Sequence, residues 1–288
     1  MIVVTGATGK LGRLIVEELL ARVGPGAVGV SVRYPGKADD LLERGVRVRH
    51  GDYAEPASLD QAFEGATQLL VVSSNARASG GDPIAQHRNV IDAAKAAGVR
   101  RIVYTSHMAA SPSSAFPPTT DHAKTEAMLA ESGIAWTSLR NGFYASTVPF
   151  LIGKVAETGL IEAPEDGKAA WTTHADLGAG AAAILVQEGR FNGPTPPLTA
   201  SVAYDLADVA AMLSEITGRT ITRKVISDGE QRERLSERNT PPGMIATTLG
   251  MYRAARAGEF VAVNPLLAEL IGREPITLRN VLAQRGDG

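Results

Sequence analysis

The sequence predicts an α/β fold in which helices cover both faces of a doubly wound parallel sheet. Short apolar runs alternate with helical patterns throughout the first half of the chain, and turn residues separate them. This alternation is typical of right-handed crossovers between parallel strands. A length of 288 residues allows one large α/β domain or two smaller ones.

The predicted strands follow one another at regular intervals. They cover residues 2–5, 28–33, 46–50, 68–73, 101–106 and 135–139. The helices between them repeat apolar residues every three or four positions. They cover residues 11–22, 37–44, 58–63, 84–97 and 122–131. Gly98 and Gly133 follow the last two helices, as is common at helix ends.

A glycine-rich loop joins the first strand to the first helix, with the spacing Gly-x-x-Gly-x-x-Gly. It consists of Gly6, Ala7, Thr8, Gly9, Lys10, Leu11 and Gly12. Glycines at this spacing permit a tight turn and let backbone N–H groups approach a pyrophosphate. The positive end of the following helix also favours phosphate. The loop therefore predicts a Rossmann fold that binds a nicotinamide dinucleotide.

The regular alternation ends after Asn141, where Pro149 and Gly153 interrupt the chain. Further helices are expected at residues 177–187, 205–217 and after Ser227, with a strand at 220–226. The tail at 241–284 is expected to be helical, with breaks at Gly250, Gly258 and Gly272. We predict a dinucleotide-binding domain at 1–150 and a smaller, mostly helical substrate part at 151–288. Segments within 174–226 can return to the Rossmann sheet.

Arg33 stands at the end of the second predicted strand and Lys37 follows it. Dinucleotide-binding proteins that prefer NAD carry an acid here, which holds the ribose hydroxyls. A guanidinium instead suits the 2′-phosphate of NADP(H) and can grip it with two hydrogen bonds. We therefore expect NADP(H) to be preferred over NAD(H), the alternative being a solvated arginine at a strand end.

Several short segments, read together with the glycine loop and Arg33, resemble one known family. They are Gly51-Asp52-Tyr53, the run 86–95 beginning Gln-His-Arg-Asn-Val, Leu139-Arg140-Asn141-Gly142, and Leu270-Ile271-Gly272-Arg273. In order and spacing the chain resembles the NmrA-like atypical short-chain dehydrogenase/reductases. Within that family it is most similar to the branch of type 2 quinone oxidoreductases and triphenylmethane reductases, over essentially the whole length.

The resemblance implies further cofactor contacts besides the glycine loop and Arg33. They are Asp52 and Tyr53 near adenine, Ser73 and Ser74 along the dinucleotide, Thr105 and Ser106 near the nicotinamide, and Asn141, Gly142, Phe143 and Tyr144 around the nicotinamide and acceptor. Asn141, Tyr144 and His107 are the candidate catalytic residues, which would position the acceptor. Asn141 could instead cap a strand, and His107, Phe143 and Tyr144 could be structural.

The acid pair of ordinary short-chain dehydrogenases is incomplete in this chain. Those enzymes use Tyr-x-x-x-Lys, whose phenol protonates a carbonyl, whereas Thr120 stands four residues before Lys124. Lys124 could still contact the cofactor ribose or could be solvated. A quinone needs less assistance, because hydride addition gives a resonance-stabilised phenolate. The expected acceptor is thus a quinone or a similar aromatic molecule.

Composition argues against several other classes. A net charge of −2 gives no positive electrostatic field that would attract nucleic acid. No apolar run is long enough to span a bilayer. Without cysteine there are no disulfides or thiolate ligands. The five histidines lack ligand spacing, so no metal is expected. These features favour a soluble cytoplasmic protein.

Two functions from different classes remain open from the sequence. The first is an NADPH-dependent reductase acting on a small-molecule quinone or aromatic acceptor, with an isoflavone-reductase-like acceptor as a variant. The second is a non-catalytic NADP(H)-sensing regulator, which would require a protein partner. A homodimer is compatible with both functions.

Overall fold

The computed structural model describes residues 1–284, which form two compact units. Unit 1 comprises residues 1–106, 121–140 and 174–196. Unit 2 comprises residues 107–120, 141–173 and the rest of the described chain from residue 197. The predicted division at residue 150 into cofactor and substrate parts remains a prediction about function.

Unit 1 is built on a seven-stranded parallel sheet in the order β3-β2-β1-β4-β5-β6-β8. The strands are β1 Ile2–Thr5, β2 Val28–Val32, β3 Arg47–His50, β4 Gln68–Val71, β5 Arg101–His107, β6 Ala135–Asn141 and β8 Gly193–Pro194. Strands β1 and β4 are neighbours although two strands separate them in sequence. That reversal of strand order is where doubly wound folds bind nucleotides, and the predicted fold class is confirmed.

Helices flank this sheet. They are α1 Lys10–Val23, α2 Asp39–Glu43, α3 Pro56–Phe63, α4 Pro83–Ala96, α5 Pro117–Glu131 and α8 His174–Val186. Helices α1 and α8 pack closely, since a Cβ atom on Gly178 would lie 3.0 Å from Cβ of Leu14. On α3 and α4, Leu59, Phe63 and Val90 belong to the core that includes the sheet residues Leu69 and Ile102.

Unit 2 contains a parallel pair of strands, β7 Leu160–Pro164 and β9 Thr222–Ile226, with short and medium helices. The helices are α6 Val148–Ile152, α7 Val155–Thr158, α9 Leu206–Thr217, α10 Asp228–Glu237, α11 Pro242–Arg256, α12 Leu266–Ile271 and α13 Leu278–Ala283. Its core gathers Phe143, Trp171 and Phe260 with aliphatic residues from α9 and α11. Within residues 1–284, no helix has both the length and the apolar character that crossing a membrane requires.

Three local predictions were wrong or incomplete. Strands β7 and β8 were not predicted, because β8 has only two residues and β7 lies in the part of the chain after Asn141 where the regular alternation ends. Gly250 was expected to break a helix but lies inside α11. A Cβ atom at that position would come within 2.4 Å of the carbonyl oxygen of Ala115, so glycine is needed for close packing and does not end the helix.

Candidate dinucleotide site and aromatic cluster

The glycine loop of unit 1 has the geometry that a pyrophosphate requires. Gly6 has φ +61°, a left-handed conformation that side chains disfavour, and Gly9 N–H donates to the Gly6 carbonyl at 2.9 Å. A Cβ atom on Gly12 would lie 2.3 Å from that same carbonyl oxygen. Glycine is therefore needed at both ends of the loop, where backbone and helix approach each other.

The N-terminus of α1 is well suited to an anion. Gly9 is its N-cap residue and forms no side-chain cap hydrogen bond, and the first turn contains no acidic residue. The N–H groups and partial positive charge of this 14-residue helix are thus neither capped nor neutralised by its own side chains. A dinucleotide pyrophosphate fits these donors.

Arg33 follows β2 and is exposed, as is Lys37. Lys37 Nζ lies 5.2 Å from the centre of the Tyr34 ring. Within residues 1–284 neither cation forms an ion pair, so both positive charges remain open to an anionic ligand. The nearby Asp40 is already held by Arg13, whose guanidinium lowers the pKa of that carboxyl. This geometry suits a phosphate group at the end of β2.

The residues expected near adenine have defined local roles. The Asp52 carboxylate accepts from the Ala54 N–H at 2.9 Å, which fixes the turn after β3. The Tyr53 hydroxyl donates to the Val72 carbonyl at 2.9 Å and contacts Thr5 Oγ1. Tyr53 therefore ties the chain after β3 to the ends of β1 and β4. Burial raises the pKa of its phenol, which stays protonated.

Thr105 and Ser106 point to opposite sides of β5, as successive strand residues do. Thr105 Oγ1 accepts the Ser73 N–H at 2.8 Å, next to the end of β4. The Ser106 hydroxyl donates to Glu126 on α5 at 2.7 Å, and Arg140 pairs with the same carboxylate at 2.7 Å. Of these two residues, Thr105 is therefore the one whose side chain contacts the chain at the end of β4.

Helix α5 holds the position where a catalytic phenol stands in ordinary short-chain dehydrogenases. The Thr120 hydroxyl donates to the Pro117 carbonyl at 2.8 Å and so closes the first turn of the helix. Lys124 is exposed. Thr120 thus forms a structural hydrogen bond and has no acidic group that could protonate a substrate.

His107 lies in an aromatic cluster of unit 2, which we define as His107, Phe116, Phe143, Trp171 and Phe260. The imidazole meets Phe143 and Phe260 edge to face, with ring centres 5.4 and 5.5 Å apart. Burial lowers its pKa to about 3. Its Nδ1 accepts the Ala109 N–H at 3.1 Å, which leaves the proton of the neutral ring on Nε2.

Asn141 and Tyr144 form a second polar group in unit 2. Asn141 is 2% exposed and donates to the phenol oxygen of Tyr144. Within the described chain its Oδ1 has no hydrogen-bond partner, which is costly for a buried atom unless a ligand satisfies it. The intervening Gly142 packs so closely that a Cβ would lie 2.4 Å from Thr172 Oγ1.

A cavity of about 320 Å³ opens in unit 2 beside this region. It is lined by residues 108–111, which begin one residue after His107, together with Ser113, Ser114 and Glu259. Sequence reasoning missed Phe116, Trp171 and Phe260 of the aromatic cluster, since only the fold of unit 2 brings their rings together with His107. The one available signal was the low aromatic content of 5%, which makes each large ring a core candidate.

Within residues 1–284 no group of three or more histidine, aspartate or glutamate side chains is arranged to hold a metal ion. The strand order and the uncapped helix behind a glycine loop instead define a dinucleotide-binding Rossmann protein. A family model described as NAD(P)H-binding matches residues 6–188. The chain belongs to the NAD(P)H-binding NmrA-like family.

Three relatives illustrate this membership. Quinone oxidoreductase 2 of Escherichia coli is 37% identical over 96% of both chains. The structure of that NADPH-dependent enzyme with NADPH matches with a TM-score of 0.89, over 99% of each chain. An NmrA-like domain-containing oxidoreductase of Aspergillus flavus is 32% identical over 98% of this chain and 93% of its own. Triphenylmethane reductase of Citrobacter sp., complexed with NADP(H), has a TM-score of 0.87 at 32% identity, over 99% of this chain and 100% of its own.

Proposed function

We propose that the chain is an NADPH-dependent oxidoreductase that transfers hydride directly to a quinone or a similar conjugated acceptor. The observation that carries the proposal is its full-length similarity to an NADPH-dependent quinone oxidoreductase, combined with an intact glycine loop and an open cationic pair after β2. The bound cofactor would supply the hydride, and this chain's residues would supply binding and orientation.

In this proposal, phosphate recognition determines the choice of cofactor. Backbone N–H groups at the start of α1 bind the pyrophosphate, while Arg33 and Lys37 bind the 2′-phosphate of NADPH. Charge-assisted hydrogen bonds from a guanidinium to phosphate contribute more than neutral ones do. NADH lacks that phosphate, so the preference for NADPH over NADH follows from Arg33.

The proposed chemistry does not require a phenolic acid on α5. Adding hydride to a quinone gives a resonance-stabilised hydroquinone monoanion, which then takes one proton from water. The structural hydrogen bond of Thr120 agrees with this chemistry. Asn141 has a second amide hydrogen besides the one it gives to Tyr144 and would donate it to the acceptor oxygen.

His107 has a narrower role than a general acid in this proposal. An imidazole whose pKa burial lowers to about 3 is neutral near pH 7 and donates only through Nε2–H. It would therefore orient the acceptor with Asn141 and Tyr144. The cavity of about 320 Å³ falls in the size range of small-molecule sites, and it is lined by residues that follow His107 and by Glu259, not by His107, Asn141 or Tyr144 themselves.

Steady-state oxidation of NADPH and of NADH against a panel of quinones tests the proposal. We expect saturable, quinone-dependent oxidation with a higher kcat/KM for NADPH. Tight NADPH binding without turnover on any quinone would overturn the enzyme assignment and favour the sensing regulator. Comparable affinity for oxidised and reduced cofactor, together with a co-purifying protein, would support that regulator.

A further inference from the structure

The three residues that follow β4 are held by side chains from three different elements. The N–H of Val72 donates to Thr5 Oγ1 at 2.9 Å and that of Ser73 donates to Thr105 Oγ1 at 2.8 Å. The N–H of Ser74 donates to Nε2 of His87 at 2.8 Å. Every backbone donor of this segment is thus committed, and the backbone of Val72–Ser74 can offer a ligand only acceptors.

The hydrogen bonds around His87 determine its tautomer. His87 lies on α4 and is 2% exposed, with Nδ1 2.8 Å from the hydroxyl oxygen of Thr125. That hydroxyl donates its own proton to the Asp121 carbonyl at 2.9 Å, so it accepts from Nδ1–H. The Nε2 lone pair is then free to accept the Ser74 N–H. Burial lowers the pKa of His87 to about 4, which keeps the ring neutral.

A second connection fixes the same loop to α5. Arg77, three residues beyond Ser74, makes a two-bond fork to the Asp121 carboxylate, with both bonds at 2.7 Å. The Ser74 hydroxyl also donates to Gln86, the neighbour of His87 on α4. The loop after β4 is therefore attached to α4 by His87 and Gln86 and to α5 by Arg77.

We propose that His87 is a positioning residue for the dinucleotide, acting through the Ser74 amide. By accepting this N–H, its imidazole fixes the segment Val72–Ser74, in which the Val72 carbonyl already accepts from Tyr53. The carbonyls of Ser73 and Ser74 would then receive hydrogen bonds from ribose hydroxyls. The inference rests on the proposed path of the dinucleotide along the end of β4. It assigns a role to a buried histidine that neither phosphate binding nor acceptor chemistry uses.

Two amide substitutions at this position provide the direct test. His87→Gln keeps an acceptor near the place of Nε2, whereas the shorter His87→Asn leaves the Ser74 N–H without one. In His87→Asn the segment Val72–Ser74 would be ordered only when the cofactor binds. We therefore expect the NADP⁺ Kd, measured by calorimetry, and the KM for NADPH to rise by up to roughly tenfold, which corresponds to the free energy of one buried hydrogen bond. The acceptor KM and kcat should change less than about twofold, and His87→Gln should bind close to wild type.

Tyr104→Phe is the matched control. Tyr104 packs edge to face on His87, and its hydroxyl forms a hydrogen bond with His122. This variant therefore perturbs the same core but leaves the hydrogen bond between Ser74 and His87 intact. It should bind NADP⁺ like wild type. An equal loss of affinity in Tyr104→Phe and His87→Asn, or wild-type affinity in a folded His87→Asn, would overturn the inference.

Nuclear magnetic resonance of the ¹⁵N-labelled wild-type protein tests the proposal without any substitution. We expect His87 as the neutral Nδ1–H tautomer, with an Nε2 signal that shifts when NADP⁺ saturates the protein. A proton on Nε2, or an unchanged signal at saturation, would contradict the proposal. If the wild-type protein fails to bind NADP⁺, the result contradicts the proposed function itself. Failure of the proposed function can thus be distinguished from failure of the role proposed for His87.

Discussion

Arg33 determines cofactor choice in the proposed function, and a charge reversal tests it. Arg33→Glu would place a carboxylate where the 2′-phosphate binds, and repulsion replaces a charge-assisted hydrogen bond. We expect kcat/KM for NADPH to fall by roughly two orders of magnitude, the loss typical of such a bond, with little change for NADH. The control is Arg22→Glu, which reverses the charge of an exposed residue on the last turn of α1. Equal losses with both cofactors would remove the phosphate assignment.

Asn141 is the residue whose substitution should act on the chemical step. Asn141→Ala removes the amide that would donate to the acceptor oxygen and so should lower kcat about tenfold or more. The NADP⁺ Kd, measured separately, should stay within about threefold. Tyr144→Phe keeps the ring but removes the phenol oxygen that orients Asn141, so a smaller loss is expected. Unchanged kcat in Asn141→Ala would exclude this residue from acceptor positioning.

At the residue scale, sequence reasoning succeeded where a side chain's position follows from one strand end. Arg33 was predicted to stand at the end of the second strand, and it follows β2 directly. Its role in binding phosphate stays a prediction. The environment of His107 could not be predicted, because Phe116, Phe143 and Phe260 come together only through the fold of unit 2. The lowered pKa of His107 is a consequence of that enclosure.

In the proposed function, cofactor binding depends most on the glycine loop and α1. Gly12→Ala would place a Cβ 2.3 Å from the Gly6 carbonyl oxygen, so loop or helix must move. We expect the NADP⁺ Kd to rise more than about tenfold in calorimetry, because the N–H groups lose their alignment. Gly26→Ala, with nothing within 4 Å of the added Cβ, is the matched control and should bind normally. Wild-type affinity in Gly12→Ala would contradict the loop assignment.

At the element scale, the sequence predicted the parts of the fold with strong local patterns. The six strands before residue 142 follow from apolar runs that alternate with helical patterns. Helix α10 follows from its N-cap residue, Ser227. Strand β7 escaped prediction because its pairing partner, β9, lies some sixty residues later in the chain. Gly250 was misinterpreted because its close neighbour, Ala115, is even more remote in the chain.

At the scale of the whole molecule, buried histidines predict loss of stability in acid. Burial lowers the folded-state pKa of His87 to about 4 and of His107 to about 3. Below about pH 6.5 the unfolded chain takes up protons that the folded chain does not, so the free energy of unfolding falls as pH decreases toward those values.

Denaturant titrations between pH 7 and pH 5 measure this effect. Each of the two histidines contributes a slope of up to about 1.4 kcal/mol per pH unit in this window. His87→Gln removes one titrating group and should flatten the dependence by up to that amount. A variant with the wild-type slope would show that His87 does not remain neutral in the folded protein.

The central claim is direct hydride transfer from NADPH to a quinone, and anaerobic stopped-flow mixing tests it most directly. NADPH deuterated at the transferred C4 position is compared with ordinary NADPH in a single turnover with excess quinone. We predict one quinone reduced per NADPH oxidised, with a slower rate for the deuterated cofactor. Bound NADPH that stays reduced in the presence of every quinone tested would contradict the account.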